Sequence, residues 1–448
     1  VKITLIYPRF KTRLAGGLEE PLGILYVASA LREAGHDVRF VDLTFASSLG
    51  VLNGALEGAD WVGMSSSSAM FGKTVGVLGY VKRLLPGTPT VIGGPHATVD
   101  TEDALGAGFD YAFLGEAEDT VVEFTRLLEK DRARECPGVA WADAGGVKVN
   151  GRAGFIEDLD VVPFPARDLI DYSGYPTIGI MASRGCPFNC SYCQPTVERL
   201  FGRRVRSRSP GSVVDEIERA LAVAGDKDVY FKDDTLTLFD VDWFARLRDE
   251  LRSREVRIRW QANSRVDTVT REKLEVMRDS GCVQIGFGVE SGSPDVLRFY
   301  NKRTDPADAE RAFRLCHDLG ILPHAFLMLG APNETLEDLE MTYRLVKRIK
   351  PRSWVVYTTT PLPGTHLHRF AEERGVLHIE DYDGFDNAEN SLVGRAPMAL
   401  SDVTQADISR YRDKINHYLL LTNALNPRVL RKVVRRPGAA IRKLRKVI

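Results

Sequence analysis

Two long stretches of the chain alternate short apolar, strand-like runs with amphipathic helical segments. This alternation limits the possible folds more than any other feature. In the first stretch the runs are KITLIY, DVRFVDL, WVGMSS, TPTVIGG and DYAFLG. Helical segments between them include EPLGILYVASALREAG, where Gly35 is a helix stop. Strands that alternate with helices pair in parallel through right-handed crossovers. Residues 1–135 are therefore expected to form a doubly wound, Rossmann-like α/β sheet. Ligands of such sheets bind beyond the carboxyl ends of the strands. Those ends are YPRFKTRLAGG, SSSSAMFG, GGPHAT and GEAE, rich in small residues that let backbone approach a ligand closely.

The pattern changes over 136–176. GVAWADAGGVKVNG reads as a hairpin, and DLDVVPFPARDLIDYSGYP as a proline-punctuated linker. A second series follows over 177–365, with strand candidates TIGIMAS, DVYFKD, VRIRWQAN, VQIGFGVE, PHAFLML and SWVVYTT. Six strand–helix units predict a partial (β/α)6 barrel with its functional groups at the C-terminal strand ends. Residues 366–448 are expected to be a small, mainly helical region that shapes the substrate pocket. Its helix candidate is SDVTQADISRYRDKINHYLLLTNAL, with Ser401 as N-cap.

Composition narrows the class. Hydrophobic residues make up 44% and charged residues 27% of 448 residues, the balance of a soluble globular chain. No apolar run reaches the roughly 18 residues of a membrane helix, so no integral span is expected. VKITLIYPRF reads as a strand and not as a signal peptide, which favours the cytoplasm. A net charge of −1 offers no overall basic field for nucleic acid. The exception is the tail NPRVLRKVVRRPGAAIRKLRKVI. It reads as a solvated basic face, or as a peripheral contact for anionic lipid or a carrier-bound substrate.

Three of the six cysteines, Cys186, Cys190 and Cys193, fall in SRGCPFNCSYCQP, directly after the first strand of the second series. In a reducing compartment, grouped cysteines hold metal or do catalysis more often than they form disulfides. Three thiolates on one loop suit an iron–sulfur cluster and leave one iron of a cubane open to a ligand. Spacing alone also admits a zinc site completed from elsewhere, or unligated thiols. Cys136, Cys282 and Cys316 are scattered and read as small core residues.

The Cys186, Cys190, Cys193 spacing, with Tyr192 beside the last cysteine, resembles the radical S-adenosylmethionine (SAM) superfamily over 177–365. The resemblance implies that the three thiolates hold a [4Fe–4S] cluster and that SAM chelates the open iron. It also implies an external one-electron reductant such as flavodoxin or ferredoxin, and cleavage of SAM to methionine and a hydrogen-abstracting 5′-deoxyadenosyl radical. Implied SAM contacts are Tyr192; Asp233 and Asp234 in FKDDTLT; Gln261 and Arg265 in RWQANSRVD; Glu290 and Ser291 in GFGVESGS; and Leu329 in FLMLGAPNET, which backs the adenine. FKDDTLT departs from the Gly-Gly-Glu motif many members carry there. A carboxylate can still accept hydrogen bonds from the SAM ammonium group; helix capping is the competing role for Asp234. Arg265 reads as a partner of the SAM carboxylate or as half of a structural ion pair.

The N-terminal half, through EEPLGILYVASALREAGHDVRFVDL, VGMSSSS, VIGGPHAT and FLGEAED, resembles the cobalamin-binding domain fused to one radical SAM branch. The doubly wound pattern by itself also suits another nucleotide or a structural domain. Implied cobalamin contacts are Pro8, Ser65, Ser66, Ser67, Gly93, Gly94, Pro95, His96, Gly115 and Glu116. The Asp-x-His-x-x-Gly motif that ligates cobalt from below is absent, and PRFKTRLAGG has no His. His36 ends a helix, and His96 is expected to line the nucleotide tail or satisfy backbone. The resemblance therefore implies cobalamin without a histidine lower ligand, which eases loss of an upper methyl group.

These features together imply a cobalamin-dependent radical SAM methyltransferase that methylates an unactivated carbon of a small-molecule or carrier-bound substrate. The same cofactors serve a non-methylating cyclisation, ring contraction or rearrangement. A sensor protein that carries a metal or cluster is the reading from a different class.

Overall fold

The computed structural model describes residues 1–8, 18–151, 153–377, 379 and 403–424. The N-terminal sheet contains β1 (Lys2–Tyr7), β2 (Asp37–Asp42), β3 (Trp61–Ser65), β4 (Thr90–Gly93), β5 (Tyr111–Phe113), β6 (Val139–Asp143) and β7 (Gly146–Val149). Its order is β2-β1-β3-β4-β5-β6-β7. The chain enters at β1, winds to one side through β2 and to the other through β3, β4 and β5, all in parallel. The expected doubly wound sheet is present, with its switch point beside β1.

The β6–β7 hairpin forms as its sequence suggests. It does not stand in a linker, however. Ala140 and Val139 pair antiparallel with Ala112 and Phe113 of β5, so the hairpin extends the N-terminal sheet. The physical reason is burial: Val139 and Ala140 are fully enclosed, and the hairpin covers an edge that would otherwise be unpaired.

The second sheet contains β8 (Thr177–Ile180), β11 (Asp228–Phe231), β12 (Trp260–Arg265), β13 (Cys282–Glu290), β14 (Leu322–Leu329) and β15 (Ser353–Thr358). All its pairs are parallel, in the order β15-β14-β13-β12-β11-β8. A two-residue ribbon, β9 (Ser183–Arg184) with β10 (Arg206–Ser207), flanks the cysteine loop. β8 and β15 are edges, so the six strands form an open barrel. Ile180, Val229, Phe231, Ala262, Ile285, Phe287, Ala325 and Leu327 enter one core with the surrounding helices. The alternate residues Tyr230, Gln261, Asn263, Gln284, His324 and Phe326 are only half-buried. By the period of two they share the inner face, which is polar and open rather than filled.

Buried ion pairs fix the two sheets to each other. Arg167, from the linker, donates to Glu20 Oε1 at 2.6 Å, Tyr172 Oη at 2.8 Å, the Gly179 carbonyl at 2.7 Å and Glu216 Oε1 at 2.6 Å. Arg208 pairs with the other oxygen of Glu216. A second group joins Arg206 to Glu116 at 2.5 Å and Arg184 to Glu118 at 2.5 Å.

The C-terminal helix Gln405–Ala424 packs on the barrel through Ile408, Ile415 and Leu419. Its N-terminus is capped by Thr404, which exchanges hydrogen bonds with Asp407. Ser401, expected as the cap, and the basic tail lie outside the described residues. No described helix is long and apolar enough to cross a membrane.

Candidate functional site

The cysteine loop leaves β9 at Gly185, whose φ is +100°. An added Cβ there would overlap the Arg204 carbonyl, so the turn requires glycine. The segment after the helix Pro294–Phe299 clamps the loop. Ser191 N–H donates to the Tyr300 carbonyl at 2.8 Å, and Asn301 Nδ2 donates to the Asn189 carbonyl at 2.8 Å. Lys302 Nζ donates to Tyr192 Oη and to Glu290 Oε1, both at 2.8 Å. Cys193 is open to solvent; crowding by surrounding protein, then Asp234 and the other two thiols, push its thiol up to about 12. Burial also raises Cys186. Among the described residues no three His, Cys, Asp or Glu side chains converge on one metal ion. A cubane does not need that convergence, because each thiolate takes a different iron.

The candidate SAM residues divide. Tyr192 and Glu290 meet at 3.0 Å beside Lys302, with Glu290 at φ +61° on an irregular step of β13. Asp234 opens to solvent at the end of β11, and crowding by protein raises it to about 6. It stands near enough to the loop for its charge to raise the Cys193 and Cys186 thiols. Asp233 is different: it is buried, accepts from Ala182 N–H at 3.2 Å and from the Ser183 hydroxyl, and burial raises it to about 7. It holds the start of the cysteine loop.

Four other expectations need correction. Gln261 is the second residue of β12 and bonds Gln284 at 3.1 Å, so it lies at the wrong end of its strand. Ser291 is buried against Thr342 at 3.0 Å and pins a helix. Leu329 points into the helix-side core; Met328, its neighbour, packs instead with Val296, Tyr300, Ala331 and Tyr192. Arg265 forms the structural ion pair, gripping Asp267 at 2.9 and 2.8 Å. Its free edge approaches Cys190 Sγ at 3.6 Å.

A cleft of about 450 Å³ opens at the C-terminal ends of the Rossmann strands. Of the candidate cobalamin contacts, Ser65, Ser66, Ser67, Gly93, Gly94, Pro95, Gly115 and Glu116 line it, the Glu116 carboxylate being taken up by Arg206. Gly94 (φ +91°) brings the β3 and β4 ends together; an added Cβ would stand 2.9 Å from Ser65 Oγ. Tyr7 lines the cleft, whereas Pro8 does not. His96 is also absent from the lining. It is buried, stacks on Phe71 at 3.8 Å and hydrogen-bonds Ser68 at 3.2 Å, with Nε2 3.3 Å from Asp103 Oδ2. The opposite wall is Met181, Arg184, Leu200 and Phe201, which bracket the cysteine loop in sequence.

Comparison with known proteins agrees with this geometry. Residues 180–346 match the radical SAM superfamily model, and residues 11–125 match the B12 binding domain model. An uncharacterized methyltransferase of Pyrococcus horikoshii is 30% identical over 396 residues, covering 84% of each chain. The chain belongs to the cobalamin-binding radical SAM family. The anaerobic magnesium-protoporphyrin IX monomethyl ester cyclase of Cereibacter sphaeroides is 29% identical over 414 residues, 86% of this chain and 66% of that protein. The radical SAM methyltransferase TsrM from Kitasatospora setae, solved with cobalamin and a [4Fe–4S] cluster, has the same fold, with a TM-score of 0.69 at 20% identity over 83% of this chain and 75% of that one.

The cofactors of this radical SAM enzyme are a [4Fe–4S] cluster, SAM and cobalamin. The residues fit them. Three thiols share one clamped loop, and the cleft floor is made of glycines and serines. Like other radical SAM enzymes it needs a reductant and acts on a small substrate. Sequence reasoning missed Lys302, Arg184 and the Lys232–Glu19 ion pair. Each works through a partner distant in sequence, so periodicity carries no signal. Only Arg184, two residues before the first cysteine in SRGC, stood near a visible motif.

Proposed function

We propose that this chain is a cobalamin-dependent radical SAM methyltransferase that methylates an unactivated carbon. The observation that carries the reading is the shared cleft: one wall is the ligand edge of the Rossmann sheet, and the other brackets the cysteine loop. When bound, the cluster and SAM supply a hydrogen-abstracting radical and cobalamin supplies the methyl group. The chain's own residues orient and shield. Cys186, Cys190 and Cys193 hold the cluster, and Asp234 accepts hydrogen bonds from the SAM ammonium group. Ser65–Ser67, Gly93, Gly94 and Gly115 leave room for the corrin. Met181, Leu200, Phe201 and Tyr7 present apolar walls that exclude water, which protects a radical from side reactions.

The substrate, free or carrier-bound, enters between the walls. The electron donor is a flavodoxin or ferredoxin, and the enzyme works in the cytoplasm, where reducing conditions keep the thiols free. The basic tail is a solvated face, with lipid contact as its alternative. The relative in Cereibacter sphaeroides favours a second reading, oxidative cyclisation without methyl transfer.

SAM with a deuterated methyl group separates the two. Methylation predicts label in the product; a product formed without label, with label only in methionine, would establish the second reading.

A further inference from the structure

Arg265 sits in a cage that commits its guanidinium before any substrate arrives. It is buried at the end of β12. Nε and Nη2 grip the two oxygens of Asp267, and Nη2 also donates to the Lys302 carbonyl at 2.7 Å. The guanidinium carbon lies 3.7 Å from the Phe188 ring centroid, so the plane supports the cysteine loop from below. The remaining edge, Nη1, points at Cys190 Sγ, 3.6 Å away. Lys302, which anchors one side of this cage, is held in turn by Glu290 and Tyr192. Four of the five N–H groups of the guanidinium are thus engaged, and little is left to fork onto a SAM carboxylate.

We propose that Arg265 is a positioning residue that fixes a positive charge against the Cys190 thiolate and thereby raises the reduction potential of the cluster. This rests on the reading of the three cysteines as cluster ligands. Reduction adds one electron, from an external reductant, to a cluster already bearing three thiolates. A fixed cation in a low-dielectric site stabilises the more negative, reduced form. Asp267 opposes that effect in part, because its carboxylate neutralises the far edge of the guanidinium.

The test is a dye-mediated redox titration of the anaerobically loaded full chain, monitored by EPR, with iron, sulfide and SAM affinity measured on the same samples. Arg265→Gln should keep four irons and wild-type SAM affinity. At a given poise its ratio of reduced to oxidised cluster should fall about tenfold, a midpoint about 59 mV more negative for one electron. Asp267→Asn should move the midpoint in the opposite direction, and it decides alone if Arg265→Gln fails to retain iron. An unchanged midpoint in Arg265→Gln would overturn the proposal. So would a tenfold loss of SAM affinity at unchanged midpoint, which would return Arg265 to the SAM carboxylate. If the wild-type chain itself cannot hold four irons, the cluster reading fails together with this inference.

Discussion

Lys232 Nζ stands 2.7 Å from Glu19 Oε2, so the end of β11 in the barrel is tied to the segment that follows β1 of the Rossmann sheet. One residue further along the chain, Glu20 enters the buried network of Arg167 and Glu216. A pair with a covered lysine and an exposed glutamate, and a buried network behind it, hold the two ligand edges face to face. Fixed register between cofactors is what the proposed chemistry needs from the protein.

The two layers differ in energetic weight. Glu19 is well exposed, so Glu19→Gln is expected to change stability by no more than about 1 kcal/mol. Arg167→Ala leaves the buried carboxylate of Glu20 without its cation and Glu216 with Arg208 alone, and is expected to cost about 3–5 kcal/mol. Urea unfolding of the apoprotein checks both. Equal effects from the two substitutions would mean that the network does not carry the interface.

Adjacent acids at the end of β11 should behave differently. Asp234→Asn is expected to weaken SAM binding about tenfold, because a neutral amide loses the charge-assisted bond to the ammonium group. Asp233→Asn should lower stability and leave SAM affinity of the folded protein nearly unchanged, because Asp233 bonds Ala182 and Ser183. Calorimetric titration of SAM into both loaded variants distinguishes them. A larger affinity loss in Asp233→Asn would reverse the assignment.

His96 is packed on Phe71 and excluded from the cleft lining. The EPR spectrum of bound Co(II) cobalamin should therefore show no histidine nitrogen splitting, and none should appear or vanish in His96→Ala. That substitution should instead cost about 1–3 kcal/mol through lost packing on Phe71 and the lost hydrogen bond to Ser68. A split signal abolished in His96→Ala would make His96 the axial ligand.

Glu334, in the loop after β14, is buried and accepts from Gly330 and Ala331 N–H through one oxygen. Burial raises its carboxyl to about 7, against the two backbone bonds. Because the folded value exceeds the unfolded one, near 4.3, the folded state binds more protons between them. Stability should fall as pH rises from about 4 through 7. Glu334→Gln should flatten this slope and be more stable than wild type at pH 8 by on the order of 2 kcal/mol. Parallel denaturation curves of the two proteins at all pH values would contradict this.

The sequence made the two parallel sheets legible because buried strands read as short apolar runs and helices as 3.6-residue stripes. The cysteine loop was legible because its ligands are local. What failed depended on phase or on distant partners. VRIRWQAN suggests an early strand, yet pairing begins only at Trp260, so Gln261 falls at the entrance and Arg265 at the exit. Leu329 and Met328 are equally apolar, and only the pleat decides which faces the core. Ser291 and Asp233 looked available because Thr342 and Ser183, which occupy them, lie far away along the chain. The hairpin was visible locally, but its pairing with β5 was not.

The most direct test of the central claim is to count SAM-derived products from one anaerobic reaction of the cluster- and cobalamin-loaded chain with reductant and candidate substrates, alongside Cys186→Ala. The account predicts 5′-deoxyadenosine and S-adenosylhomocysteine together with the wild-type chain, and no 5′-deoxyadenosine with Cys186→Ala. 5′-Deoxyadenosine alone would contradict methyl transfer, and neither product from a fully loaded protein would contradict radical SAM catalysis.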